Sequence, residues 1–278
     1  LFGPRAAYRM RYRGTMYQDG ARSHDPEFPD PGAMIDYYLA DTPSGDVKLE
    51  ILDATGTVIR GFSSSPEGDV AGGSQEIRPD YLNRLREPQL ESGAGHHRFT
   101  WDLRHPGATA PASATGLYGR PGGDGPMVAP GHYQVRMTVG PSVQVRDLEV
   151  RIDPRVFADG ISPADLQAQE ALSLQFRVAV AAGGRAAWEL EQLRAQVPSG
   201  SSDAARVEEL WTELITRRTG SYPPPMLLDQ LDYLYGMVTK ADSRPSRDAF
   251  TRYAELKEML DRLLEQVRQL RRGVAEDR

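Results

Sequence analysis

Residues 162–197 read SPADLQAQEALSLQFRVAVAAGGRAAWELEQLRAQV. Ser162, Pro163 and Asp165 mark a helix start: a capping hydroxyl, a proline whose missing N–H is not needed in the first turn, and a carboxylate near the positive end. Apolar or small residues then recur at 172, 176, 179, 183, 187, 190, 193 and 197, in steps of three and four that place them on one helix face. The spacing predicts a helix over 162–196, about 52 Å long. Gly183-Gly184 falls on this stripe, so either the helix kinks there or a neighbour approaches where no side chain intrudes.

Downstream, the same periodicity predicts a second helix over 203–218 with Val207, Leu210, Trp211, Leu214 and Ile215. A third follows Pro223–Pro225 with Leu227, Leu228, Leu231, Leu234, Tyr235 and Val238. A fourth opens at Pro245 with Phe250, Tyr253, Leu256, Leu260, Leu263, Val267 and Leu270. Short connections imply antiparallel neighbours, hence an elongated antiparallel helical bundle of about four helices over 158–278, or two hairpins sharing one long helix.

Upstream the composition changes. Residues 1–160 hold 21 of the 27 Gly and 15 of the 21 Pro, and residues 161–278 hold 6 of each, so the first part is turn-rich β and the second helical. Val47, Leu49 and Ile51 alternate with polar residues; Asp53-Ala-Thr-Gly56 is a turn, and Thr57–Arg60 returns from it as a hairpin. Ala33–Leu39, Arg98–Trp101, Tyr133–Val139 and Val143–Ile152 are further strands. Six or seven short strands with turns between them predict an immunoglobulin-like (Ig-like) β-sandwich over 31–157, preceded by an arm over 1–30 with a short strand. Insertions at 63–93, with a short helix around Pro79–Arg86, and at 105–129 interrupt it.

The chain has 278 residues and a net charge of −6, with Lys+Arg minus Asp+Glu equal to 17−20 before residue 158 and 16−19 from there on. Neither part is a basic nucleic-acid module. No run reaches the roughly 20 apolar residues of a membrane helix. Cysteine is absent, which excludes disulfides and thiol chemistry. The first residue is Leu1 with no signal peptide, so the chain reads as processed or excised from a longer one.

No catalytic residue stands out. The five histidines, His24, His96, His97, His105 and His132, show no metal-ligand spacing, and neither a metal nor another cofactor is expected. A glycosidase reading would pair Asp102 with Asp36, Asp53 or Glu50, but an Asp that ends a strand more often accepts backbone N–H bonds. Tyr8, Met10 and Tyr12 alternate with Arg9, Arg11 and Arg13, so the apolar set covers apolar surface while the arginines face water. These three are the candidate interaction surface. Tyr118, in the Gly-rich insertion, and Trp101, which also has the look of a sandwich-core residue, are the candidate ligand contacts.

An ordered set of motifs goes further. Leu1-Phe-Gly-Pro-Arg5, Gly32-Ala-Met-Ile-Asp36-Tyr-Tyr-Leu39, Leu49-Glu-Ile-Leu-Asp53, Arg98-Phe-Thr-Trp101-Asp-Leu-Arg104, Ala129-Pro-Gly131-His-Tyr133, Asp153-Pro-Arg155 and Leu231-Asp-Tyr-Leu-Tyr-Gly236 occur in this order. Together they resemble the C-terminal region of large exported bacterial proteins built on sortilin-type, Asp-box β-propellers and often labelled glycosyl hydrolases. The β half also resembles the Ig-like domain of flagellar hook-capping proteins. The resemblance implies an exported, periplasmic or extracellular protein and an upstream β-propeller as partner. No Ser-x-Asp-x-Gly-x-x-Trp box occurs in this chain, so no catalytic residue carries over. The expected function is a non-catalytic structural or interaction module, with homo-oligomerisation through the helices a further possibility. The alternatives are a carbohydrate-binding module recognising a glycan or, as the weakest, an autonomous glycosidase.

Overall fold

A computed structural model describes residues 1–11, 32–65, 88–108, 125–217 and 223–276. Among these are seven strands: β1 (Ala7–Arg9), β2 (Ala33–Leu39), β3 (Val47–Leu52), β4 (Val58–Ser63), β5 (Gly95–Trp101), β6 (Gly131–Val139) and β7 (Ser142–Ile152). Five helices follow: α1 (Pro154–Ala158), α2 (Pro163–Gln196), α3 (Ser202–Leu214), α4 (Leu227–Thr239) and α5 (Arg247–Glu276). The chain divides into two compact units. Leu1–His105 with Ala129–Arg155 carries the strands, and Pro106–Val128 with Val156–Arg278 carries the long helices. The expected helix around Pro79–Arg86 and most of both insertions lie outside the described residues.

The strand unit has a five-stranded mixed sheet in the order β1-β7-β6-β3-β4 and a two-stranded sheet, β2-β5. All pairings are antiparallel except β1 with β7. Period-two alternation buries Ile35, Tyr37 and Leu39 of β2, Leu49 and Ile51 of β3, and Val135 and Met137 of β6. The inner faces meet where Phe62 of β4 packs on Phe99 of β5, with ring centroids 4.6 Å apart. Trp101 of β5 also stands edge-on to Tyr133 of β6 at 6.1 Å. The β3–β4 turn is the one read from Asp53 to Gly56: the Asp53 carboxylate accepts the backbone N–H of Thr55 and of Thr57, and Gly56 takes φ 84°.

Side chains fasten this unit wherever the chain crosses its boundary. The Arg104 carbonyl accepts Trp101 Nε1 at 3.1 Å and Arg60 Nη1 at 3.3 Å. The Ala129 carbonyl accepts the Tyr133 hydroxyl at 2.7 Å, and the Asp153 carboxylate accepts the Arg155 N–H at 2.9 Å.

In the helical unit, α2 begins with the expected reciprocal cap: Ser162 Oγ accepts Asp165 N–H, and Asp165 Oδ2 accepts Ser162 N–H. Arg244 Nε lies 2.5 Å from Asp165 Oδ1 and, with the Ser162 hydroxyl, holds this carboxyl well below the usual range. Helix α5 runs parallel to α2. Phe176 meets Tyr253 at 4.7 Å, and a Cβ on Gly183 would lie 3.8 Å from Leu260 Cδ1, the same offset of 77 residues (176 to 253, 183 to 260). Carried along both helices, this offset matches the buried Ala249, Leu256, Leu263, Val267 and Val274 of α5 to the buried Leu172, Ala179, Ala186, Leu190 and Val197. The alternating steps of four and three form a heptad seam. Phe250, expected on the apolar stripe, is exposed because the repeat counted back from Tyr253 in a step of four reaches Ala249.

Helices α3 and α4 both run antiparallel to α2, one after the other. Arg194 near the end of α2 pairs with Glu208 at 2.6 Å and lies over the Trp211 ring, and Leu214 at the end of α3 comes beside Gly183. Leu228 in the first turn of α4 is also beside Gly183; Tyr235 then reaches Phe176, and Gln169 Nε2 donates to the Val238 and Ala241 carbonyls. Successive helices therefore reverse at α2–α3 and α4–α5 but not at α3–α4, contrary to the expectation that every neighbour is antiparallel. Pro223–Pro225 have no N–H with which to continue a helix, and Met226 N–H instead donates to Thr216 Oγ1 at 2.8 Å. Of the two readings of Gly183, close approach is the observed one. A Cβ there would lie 2.9 Å from Leu228 Cδ1, and α2 passes through without interruption. Among the described residues, no helix is long and apolar enough to cross a membrane.

Two glycines should answer oppositely to substitution. Gly183→Leu overfills the α2 seam and should lower the unfolding free energy of the helical unit by about 1–3 kcal/mol. Gly236→Ala in α4 meets nothing within 4 Å and should raise it by up to about 1 kcal/mol, both read from urea melts followed by far-ultraviolet dichroism.

Candidate interaction face

The alternation that buries one side of β2 presents Met34, Asp36 and Tyr38 on the other. Their partners across the pair are Thr100, Arg98 and His96 of β5. Such positions repeat about every 7 Å along a strand, so the three rows make up one face of the two-stranded sheet. The N-terminal segment adds Phe2. Its N–H donates to the Asp36 carbonyl at 3.0 Å, and its ring lies 6.0 Å from the His96 ring. Phe2, Met34 and Tyr38 are 52 %, 42 % and 58 % exposed. Large apolar groups gathered around one sheet face are the usual mark of a recognition surface.

The middle row is an ion pair. Arg98 Nε donates to Asp36 Oδ1 at 2.8 Å and Nη2 to Oδ2 at 3.0 Å, while His96 Nε2 lies 3.7 Å from Oδ1. These hydrogen bonds and the Arg98 charge hold the Asp36 carboxyl below its ordinary value, with smaller help from His96 and Arg5. Beneath the face, buried Tyr37 donates to the Glu91 carbonyl at 2.7 Å, and burial pushes its hydroxyl up to about 12. Its ring packs on His97, whose Nε2 lies 2.7 Å from the Gly93 carbonyl, so the backing of the face is fixed.

The residues singled out from sequence are placed differently. Trp101 is fully buried and leaves no ring face for a ligand; it belongs to the core. Tyr118 and Tyr12 lie outside the described residues. Tyr8 and Met10 are exposed, but the expected division of β1 is inverted, since Arg9 is fully buried. The cause is the parallel register on β7: Ala7 and Arg9 lie beside Val150 and Ile152, whereas Tyr8 lies beside Arg151.

The carboxylates weighed for glycosidase chemistry each have a structural partner. Asp102 accepts from Arg60 at 3.1 Å and from the Arg104 N–H at 3.1 Å, Glu50 accepts from Arg136 at 2.7 Å, and Asp53 closes its turn. Asp36 and Glu50 lie on the outer faces of different sheets. Among the described residues, no three His, Asp or Glu side chains converge as metal ligands. Alternation along β2 marks Ile35, Tyr37 and Leu39 as its buried side and leaves the β2–β5 face unassigned. The available signal was large apolar residues at both parities of one strand, Met34 and Tyr38 against Ile35 and Leu39.

In Arg98→Met the Asp36 carboxyl should titrate back near the ordinary value of about 4, as followed by carboxyl-carbon NMR; an unchanged midpoint would mean that Arg98 is not what depresses it. Compared with known proteins, the chain matches no family model, no curated protein and no solved structure.

Proposed function

We propose that this chain is a non-catalytic structural and interaction module of a larger exported protein, periplasmic or extracellular, with an upstream β-propeller as its partner. In this reading the strand unit is an Ig-like sandwich and the helical unit an elongated bundle. The observation that carries the proposal is the β2–β5 face, where Phe2, Met34 and Tyr38 stand exposed around an ion pair that neutralises itself. The structural use of Asp102, Glu50 and Asp53 supports a non-catalytic role. The motif order described above supports the propeller context.

Because Asp36 and Arg98 satisfy each other, the face offers a partner apolar area and little net charge. Binding should therefore depend weakly on salt, unlike an interface steered by unpaired charges. The test mixes this chain with the separately produced propeller domain encoded upstream, by calorimetry at low and high salt. A complex that loses about tenfold or more in affinity with Tyr38→Ala and Met34→Ser together, as expected when interface anchors are removed, supports the proposal. It fails if no propeller is encoded there, if the two do not bind, or if the chain turns over glycosides in a manner abolished by Asp102→Asn. Binding of a neutral oligosaccharide that Tyr38→Ala removes would favour the carbohydrate-binding alternative.

A further inference from the structure

We infer that the helical unit opens as two cooperative blocks stacked end to end, with the hinge at Gly183-Gly184 of α2. One block is the first half of α2 with α4 and the start of α5. The other is the second half of α2 with α3 and the end of α5.

Three lines of backbone run the length of this unit, and one is broken. Helices α2 and α5 are continuous, but the third line changes from α3 to α4 at the level of Gly183. Leu214 Cδ1 would lie 3.9 Å and Leu228 Cδ1 2.9 Å from a Cβ at that position. Between these helices, residues 215–217 and 223–226 are not helical, so among the described residues no helical ladder carries α3 on into α4. The fastening seen there is the Met226 N–H to Thr216 Oγ1 bond. At the same level α2 carries two buried glycines, each a poorer helix former than alanine by about 1 kcal/mol. The weakest stretch of the continuous helix thus coincides with the gap in its neighbour.

Each side of this level has its own fastenings. In the first block Phe176 packs against Tyr235 and Tyr253, Gln169 ties the end of α4, and Asp165 holds Arg244. In the second, Arg194 joins Glu208 and Trp211, and Arg271 reaches Glu189 at 3.7 Å. The apolar core continues through the junction, so the blocks are coupled. The coupling rests on the continuous α2 and α5 and on the side chains meeting at the glycine layer. Cooperative units divide where few backbone interactions cross, and at this level two helices pass where three lie on either side. Opening there bends α2 and α5 while each block keeps its own core.

The test is native-state hydrogen exchange on the full chain, read by mass spectrometry of peptides from each block. Phe176→Leu should speed the slowest amides of the first block by about tenfold or more and leave those of the second within about twofold. Leu210→Ala should do the reverse. Equal acceleration in both blocks by either variant would overturn the proposal. The unsubstituted chain gives an independent reading that needs no variant to fold. In a urea series below the unfolding transition, the two blocks should show different slopes of exchange free energy, and a common slope and intercept would overturn the proposal.

Discussion

The helical unit depends on a register. Buried positions of α2 and α5 repeat in alternating steps of four and three, and an offset of 77 residues brings the two repeats level, as at Phe176 with Tyr253 and Gly183 beside Leu260. A repeat of seven keeps the seam facing its partner along the whole length of both helices. Once two helices share such a seam, a third must lie in the groove they form. That groove is filled by two shorter helices in succession, and the glycine layer is where their ends fit. The absence of a side chain on α2 at Gly183 is what lets Leu228 enter the seam. One residue with nothing beyond Cα therefore sets where α4 begins.

The strand unit rests on a different periodicity. Alternation along β2 and β5 separates an inner set, Ile35, Tyr37, Phe99 and Trp101, from an outer set, Met34, Asp36, Tyr38, His96 and Arg98. The inner set is tied by the Phe62–Phe99 and Trp101–Tyr133 contacts, which hold the strands in the orientation that displays the outer set. The proposed interaction role is thus a by-product of core formation: the same pleat that closes the interior also fixes the spacing of the exposed rings.

Features governed by neighbouring residues were legible in the sequence. The cap at Ser162–Asp165, the Asp53–Gly56 turn and the alternation of β2, β3 and β6 each involve groups a few positions apart. Features governed by distant partners were not. Arg9 turns inward because β1 takes its register from β7, some 140 residues later (Arg9 beside Ile152). The common direction of α3 and α4 follows from packing along α2 and not from their connection. Ala249 replaces Phe250 in the seam because Tyr253 is fixed against Phe176. The candidate face is not legible in the sequence because apolar residues at both parities of β2 look the same whether a strand is covered on both sides or displays one of them.

The parallel pairing of β1 with β7 also has a mechanical meaning. It joins the first strand of the unit, beside Ala7, to the last, beside Val150, with both chains running the same way. Tension applied between the start of β1 and the end of β7 would slide the strands along each other, loading their evenly spaced, slanted hydrogen bonds together and not opening them one by one. A unit closed in this way resists extension along its own chain at the point where the load enters, and protects the sheet behind it.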